Sequence, residues 1–352
     1  RVEQVMYVLI REGSAGKNLQ DLLTAVSVQN ARRFLYCTDD KHLDELVNEG
    51  SIDHAIRLSI KAGMDTLQAI QLATINAAEC YGLDGKGALA SGFEADFVLL
   101  NHLETLEISS VWKKGVQVAH CGVMITPIAT KTDCSNRIRQ SVHLPSLTTS
   151  DLAIPFSEGS TANVIEIIPN QLTTNRVIET VDVMEGKFIP NIHQDQLKLA
   201  VIERHHHKHT IGLGIVKGFG IQSGAVATTI AHDSHNAIVF GTNDEDMIVA
   251  LEKLQSMQGG LVVVDRGKIL ASLALPIGGL MTESPTKQAV NDLHKLHQAL
   301  HTIHPTLDYH LMLTLSFLSL PVIPSLKLTD TGLFDVTSFK HIPVEHTEKA
   351  GH

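Results

Sequence analysis

Aromatic residues are scarce in this chain, at 4% of 352 positions, and there are only four cysteines, Cys37, Cys80, Cys121 and Cys134. None of the cysteines stands in a C-x-x-C spacing. A disulfide framework is not expected in a chain of this size, and a reducing cytoplasm is the simpler reading. Basic excess is also missing. Lys and Arg number 28 against 38 Asp and Glu, a formal net charge of −10, with no Lys/Arg-rich run. Nothing there would neutralise phosphates, so a nucleic-acid partner is excluded. Long apolar runs are absent too. The longest, Leu311 to Leu320, is interrupted by Thr314, Ser316 and Ser319 and meets Pro321. It falls well short of the ~20 apolar residues of a membrane span, so no membrane partner is expected. The N-terminus has no initiator Met and no signal pattern. It opens inside a periodic segment of Val2, Val5, Met6 and Leu9, and Arg1 is read as a truncation point.

What is present suffices for a core. Apolar residues make up 43% of the chain, and its length predicts two or three domains. Tyr7 to Ile10 is a short buried-strand signal ending in Arg11-Glu12-Gly13-Ser14. A helical stripe of Leu19, Leu22, Leu23 and Val26 follows. Arg33 to Thr38 is a second strand, ending in Asp39-Asp40. Ile52 to Ala62 reads as a helix stopped by Gly63, and Asp65 with Gln68 forms a capping-box pattern for a helix closed by Gly82. Strand–helix alternation of this kind predicts parallel βα units. Such units place chemistry at the C-terminal ends of their strands, which makes Arg11, Glu12, Ser14 and Asp39 candidates. Solvated loop residues are the competing reading, favoured for Asp40.

From Gly87 to Gly122 the pattern shifts to short strands over Ala95–Leu100, Glu104–Ile108, Val111–Lys113 and Val116–Ala119, with a turn at Gly115. Residues 123–162, rich in Thr, Ser and Pro, read as a connector. A second α/β (α+β) body begins near Asn163. Its predicted strands are Val164–Ile168, Lys198–Ile202, Ile211–Val216, Ala225–Ile230, Ala237–Phe240 and Leu261–Val264. A helix over Asn243–Met257 buries Met247, Ala250, Leu251 and Leu254, and Asp265-Arg266-Gly267 turns a hairpin. Ser284-Pro285 starts a helix whose stripe is Ala289, Leu293, Leu296, Leu300 and Ile303.

Several segments carry a resemblance. Gly87-Ala88-Leu89-Ala90-Ser91-Gly92-Phe93-Glu94-Ala95-Asp96-Phe97-Val98, with Val111 to Val118, is similar to the closing strands of the amidohydrolase superfamily. Ala73 to Ala78 resembles its last barrel helix. Ile10 to Ala15, Lys17-Asn18-Leu19, Cys37 to Asp40 and Glu49 to Asp53 resemble the adenine deaminase family within it. So do Lys217-Gly218-Phe219-Gly220, Ala231 to Asn236, Pro276 to Met281, Phe317 to Pro324 and Gly332 to Asp335. The resemblance implies the fold. Residues 1–86 would be the last βα units of a (β/α)8 amidohydrolase barrel, a C-terminal remnant starting just before strand 7. Residues 87–122 would form a small β-sandwich element, and 163–346 an adenine deaminase-type C-terminal domain.

It also implies a reaction, the metal-dependent hydrolysis of adenine to hypoxanthine and ammonia in purine salvage. The cofactor would be a divalent metal pair, manganese or iron ahead of zinc, with its other ligands outside this chain. The purine would be the partner, and the full-length enzyme a homo-oligomer. A metal can bring the pKa of bound water to ~7, and a carboxylate beside it can relay the proton to the leaving group. The superfamily places that carboxylate at the end of strand 8, which matches Asp39, as metal ligand and general base; Asp40 is next in line. Arg11, Glu12 and Ser14 could position purine nitrogens, the alternative for each being a loop ion pair or a helix cap.

Two histidine groups invite a metal or substrate reading. In His205-His206-His207-Lys208-His209, strand geometry would put His205 and His207 on one face, but its place in the chain favours a second-domain role. His232, Asp233, His235 and Asn236 are the denser group, read as lining a substrate site or an inter-subunit contact, with a turn network as the bland alternative. His294, His297 and His301 read as a solvated helix face. The zinc deaminases that need P-C-x-x-C are excluded. Two further readings compete. In one the chain is a catalytically silent C-terminal module or assembly partner, and in the other it belongs to an amidohydrolase of another cyclic amidine or amide.

Overall fold

A computed structural model describes residues 5–14, 16–126, 135–157 and 159–347. The readings that involve Arg1, Val2, Ala15 and Cys134 lie outside these residues. The chain divides into two compact units, Arg1–Thr132 and Asp133–His352.

Unit 1 opens with β1 (Val8–Arg11) and β2 (Phe34–Cys37), a parallel pair in which Ile10 faces Tyr36 and Arg11 faces Cys37. Helices α1 (Leu19–Leu23), α2 (Leu43–Asn48), α3 (Ile52–Lys61), α4 (Thr66–Ala73) and α5 (Ile75–Cys80) follow. Ile10, Leu19, Phe34, Tyr36, Ala55, Ile56, Ala69 and Leu72 form one core. Polar ties fix β2 within it. Tyr36 donates its hydroxyl to Ser59 at 2.8 Å, and the buried Asn76 amide donates to the carbonyls of Ala31 and Phe34, both at 2.8 Å. The Asp65 carboxylate accepts the Gln68 N–H at 3.0 Å, as its cap pattern predicts. The helix read from Asp65 to Gly82 is instead two, broken at Thr74, whose hydroxyl bonds back to the Ile70 carbonyl at 2.8 Å. The sequence reading misses α2 altogether. Leu43, Leu46 and Val47 stand at helical spacing, but the helix is only six residues long and buries none of them.

The second element of unit 1 is a single antiparallel sheet of β3 (Phe97–His102), β4 (Glu107–Lys113), β5 (Val116–His120) and β6 (Val123–Met124). The strands expected separately over Glu104–Ile108 and Val111–Lys113 are one strand, β4. Among the described residues there is no closed barrel.

Unit 2 is built on an eight-stranded sheet. Its strands are β7 (Thr161–Ile167), β8 (Thr174–Thr180), β11 (Leu197–Ile202), β12 (Ile211–Lys217), β13 (Ala225–Thr228), β14 (Ala237–Gly241), β15 (Gly260–Asp265) and β16 (Lys268–Ala274). Their order is β16-β15-β13-β14-β11-β12-β7-β8, and every pair except β12–β7 is antiparallel, which makes the unit α+β. A small hairpin of β9 (Asp182–Met184) and β10 (Lys187–Ile189) precedes β11. The strands β8 to β10 escape the sequence reading: β8 is a mostly exposed edge whose Val177 and Ile178 stand side by side rather than in alternation, and β9 and β10 have three residues each.

Alternation along β11 sends Leu197, Leu199 and Val201 to one face, and Ala200 and Ile202 to the other. The first face packs against α8 (Thr286–Ile303), α9 (Leu311–Ser316) and the leucines of β17 (Leu326–Thr329) and β18 (Gly332–Asp335). A two-residue β19 (Lys340–His341) completes that small sheet. The second face packs against α7 (Asp244–Ser256) through Met247, Ala250, Leu251 and Leu254. The helix α8 starts one residue later than its Ser-Pro signal suggests, with Pro285 itself at the N-cap. A short helix, α6 (Asn136–Arg139), lies in the stretch read as connector, and the same stretch contributes Leu152, Ile154 and Phe156 to buried clusters.

Candidate functional site

Parallel pairing brings the ends of β1 and β2 out together. The Glu12 N–H still reaches the Cys37 carbonyl at 3.0 Å, after which both chains turn away. Asp39 takes a left-handed backbone (φ 57°), which aspartate tolerates better than most residues, and its side chain is 59% exposed. Across from it, Arg11 donates from Nη1 to the Asp39 carboxylate at 2.5 Å and from Nε to the Gly16 carbonyl at 3.2 Å. An added Cβ at Gly16 would lie 1.7 Å from the guanidinium, so a larger residue there would displace the Arg11 side chain from this position. Arg11 is therefore held from two directions, and its side chain is only 25% exposed.

The neighbouring groups are more occupied. Asp40 accepts the Gly16 N–H at 3.1 Å. The Ser14 hydroxyl donates to Glu45 and accepts the His42 N–H at 2.8 Å, tying the β1 loop to the start of α2. Glu12 is buried, and burial raises its carboxyl pKa against the opposing pull of Lys17 and Lys41. The Lys41 side chain is itself buried and pairs with Glu49 at 2.7 Å. The structure thus gathers Arg11, Glu12, Ser14 and Asp39 at one end of the pair, and of these Asp39 presents the open carboxylate. Sequence reasoning passed over Glu45 and Lys41. Both are ordinary charged residues of a loop and a first helical turn, and only Glu49, inside a quoted matching segment, gave a signal.

Among the described residues, no three His, Cys, Asp or Glu side chains converge as a metal-binding group. Asp39 fits the part of one ligand, an outward carboxylate already meeting a cation. The described residues do not complete a set around it.

In unit 2, His232, Asp233, His235 and Asn236 lie between β13 and β14. The His232 ring stacks on Phe317, with centroids 4.4 Å apart, and the His235 ring meets it edge-on at 5.7 Å. The His232 N–H donates to the Ser316 carbonyl at 2.8 Å, and its carbonyl accepts the Ser319 hydroxyl at 3.0 Å. Behind them Arg204 is fully buried. It donates to the carbonyls of His235, of Gly278 at 3.0 Å and of Ser141 at 3.4 Å, and burial brings its guanidinium pKa down to about 10. Burial also lowers the His235 pKa, with the charges of His232 and Arg204 adding to the effect. Asp233 points into solvent, with its side chain 85% exposed.

The His205–His209 run is not a strand but the loop joining β11 to β12, so the one-face argument for His205 and His207 does not hold. The cause is the residue before it in the loop's mouth. The buried Glu203 carboxylate accepts the N–H groups of His205 (2.6 Å), His206 (2.8 Å) and Lys208 (3.1 Å), winding the loop around itself. Burial acts to raise the Glu203 pKa, but these donors together with the His206 side chain outweigh it and hold it at about 2. On α8, His294 and His301 are exposed.

Comparison with known proteins places both units. Residues 5–118 match the amidohydrolase family, and residues 171–340 match the adenine deaminase C-terminal domain. A protein named adenine deaminase from Lysinibacillus sphaericus strain C3-41 is 61% identical over 98% of this chain and 59% of its own length. Those of Geobacillus kaustophilus strain HTA426 and Bacillus subtilis strain 168 are 52% and 46% identical, each over 98% of this chain and 60% of the relative. The chain therefore spans about 60% of the length of the curated relatives it matches. Among solved structures, a β-aspartyl dipeptidase from Fervidobacterium islandicum AW-1 is similar at 21% identity, with a TM-score of 0.31 over 36% of this chain and 35% of that one. The amidohydrolase family, matched over residues 5–118, implies a divalent metal. By these matches the chain joins amidohydrolase-family sequence over residues 5–118 to an adenine deaminase C-terminal domain over residues 171–340.

Proposed function

We propose that the full-length enzyme hydrolyses adenine to hypoxanthine and ammonia, with Asp39 as the proton carrier. The observation that carries this reading is the outward Asp39 carboxylate at the end of β2, held by Arg11 from the end of β1. The similarity to relatives named adenine deaminase supports the choice of substrate. In this reading β1 and β2 are the last strands of a (β/α)8 barrel, and the antiparallel sheet is part of a small β-sandwich.

A divalent metal, manganese or iron ahead of zinc, would supply a nucleophile at neutral pH by lowering the pKa of a water to ~7. Asp39 would be one of the residues that hold that metal. The carboxylate takes a proton from the attacking water as the new C–O bond forms at C6 of adenine. It delivers that proton to N1 of the ring, then carries the remaining proton of the new hydroxyl to the exocyclic nitrogen as the C–N bond breaks and the C6 carbonyl forms, so one water is consumed and one ammonia leaves. Arg11 is anchored on the Gly16 carbonyl and keeps the Asp39 carboxylate in one orientation through the cycle. Glu12 and Ser14 support the same rim. We further read the enzyme as a cytoplasmic homo-oligomer of purine salvage. The free thiols of Cys37, Cys80 and Cys121 suit a reducing compartment, and no helix among the described residues is long and apolar enough to cross a membrane.

Asp39→Asn in the full-length enzyme tests the reading. Removing a general acid–base is expected to lower kcat for ammonia release by about 1,000-fold, with circular dichroism and melting temperature unchanged. Wild-type kcat in a folded variant overturns it.

A further inference from the structure

Two glycines of the loop after β1 leave their side-chain space to charged groups of opposite sign. An added Cβ at Gly13 would lie 1.7 Å from the Asp40 carboxylate, and one at Gly16 would lie as close to the Arg11 guanidinium. Both groups then bind residue 16 from its two sides. Asp40 accepts the Gly16 N–H at 3.1 Å, and the Gly16 carbonyl accepts from Arg11 Nε at 3.2 Å and from the Gly13 N–H at 3.1 Å. Arg11 in turn donates to Asp39, the residue before Asp40. The contacts close a ring that runs from Asp40 to Gly16, to Arg11, to Asp39, and back through one peptide bond.

Each contact of the ring is weak by itself. An ion pair to an exposed carboxylate fixes a long arginine side chain poorly. The second anchor of Arg11 is a carbonyl in a loop with two glycines, so it is only as firm as that loop. Asp40 supplies the firmness, because a carboxylate that accepts a backbone N–H makes a bond roughly twice as strong as a neutral one. The two neighbouring aspartates are also turned in different directions. Asp39 is exposed, whereas Asp40 is half-buried against Gly13 and Gly16.

We propose that Asp40 is a positioning residue for the hydrolysis, acting through Gly16 and Arg11 to hold the Asp39 carboxylate in its working orientation. The proposal rests on the reading of Asp39 above. It gives the second aspartate a task that needs an acceptor oxygen and no transferable proton.

Kinetics of the full-length enzyme and amide exchange of the 352-residue chain test this together. Asp40→Ala is expected to lower kcat on the order of 100-fold, the scale of a displaced catalytic group, with KM for adenine within about twofold. Asp40→Asn keeps an acceptor for the Gly16 N–H and should restore kcat to within about tenfold of wild type. In an Asp39→Asn background, Asp40→Ala should cause no further loss, because its route runs through that carboxylate. Wild-type kcat in Asp40→Ala, multiplying losses in the double variant, or a loss in Asp40→Asn as deep as in Asp39→Asn overturns the proposal. In the 352-residue chain, the Gly16 amide and the Arg11 Nε–H should exchange at least roughly tenfold faster in Asp40→Ala. The Glu12 amide, bonded to the Cys37 carbonyl at 3.0 Å, should keep its rate. Unchanged exchange at Gly16 contradicts the ring. Should Asp40→Ala not fold, the unsubstituted chain decides: its Gly16 amide should be protected, and exchange there at the rate of an open loop overturns the proposal. Turnover that survives Asp39→Asn removes the reading of the reaction, whereas dependence on Asp39 with indifference to Asp40 removes this inference alone.

Discussion

In unit 1 the strands that carry Arg11 and Asp39 form a parallel pair of only two, whereas in unit 2 β11 lies inside a sheet of eight with all six of its residues buried. The four-stranded sheet of unit 1 likewise leaves Val98, Leu99, Val116, Val123 and Met124 between 47% and 64% exposed. Both faces of the unit 2 sheet are covered, one by α8, α9 and β17–β18 and the other by α7. A parallel pair gains its stability from what covers its faces and edges, and two strands alone are marginal. The open carboxylate therefore sits on the less protected body, and the buried polar network on the better protected one. Functional residues commonly occupy the less stable parts of a fold, and here the division falls between units.

Perturbing the two bodies should sharpen this contrast. The largest effect is expected at Glu203, whose backbone donors are lost or misdirected in Glu203→Gln. Its folded pKa of about 2 lies below the ordinary 4.5. The carboxylate thus adds stability that is complete above pH 4.5 and disappears as pH falls through about 2. At pH 7 the variant should lose about 3 kcal/mol of unit 2 stability. Its melting curve should converge on that of the wild type between pH 4.5 and 2, and a pH-independent gap would contradict the assignment. A smaller, matched pair compares the units directly. Asp65→Ala removes the cap of α4 in unit 1, and Asn243→Ala removes that of α7 in unit 2, where the Asn243 side chain accepts the Asp246 N–H at 2.8 Å. Each should cost about 1 kcal/mol. In unit 2 the loss should appear as a modest shift in melting. In unit 1 it should appear as faster amide exchange across α3 to α5, and equal behaviour in both would remove the contrast.

Local order was legible wherever a periodic stripe or a specific turn residue carried it. The helix at Ile52–Lys61, the Asp65 cap, the buried face of α7 and the Asp265-Arg266-Gly267 hairpin all follow from residues a few positions apart. The rim was legible for a different reason, because Arg11 and Asp39 each end a short apolar strand. What stayed hidden depends on contacts distant in sequence. Arg204 is bound by carbonyls 63 and 74 residues away, and no neighbour marks it as buried. The histidine run looked like a strand face because its spacing is even. Its geometry is set by the carboxylate of Glu203, a role no spacing rule assigns. The partner of Ser14 was equally opaque, since Glu45 belongs to α2, a six-residue helix that buries none of its residues.

Residue-resolved hydrogen exchange on the 352-residue chain tests the contrast most directly. Amides of Leu199–Ile202 in β11 and Ile238–Phe240 in β14 should exchange at least roughly a hundredfold more slowly than those of Leu9–Arg11 and Leu35–Cys37, a gap of about 3 kcal/mol in opening free energy. Protection of β1 and β2 equal to that of β11, lost in one cooperative step, would contradict it.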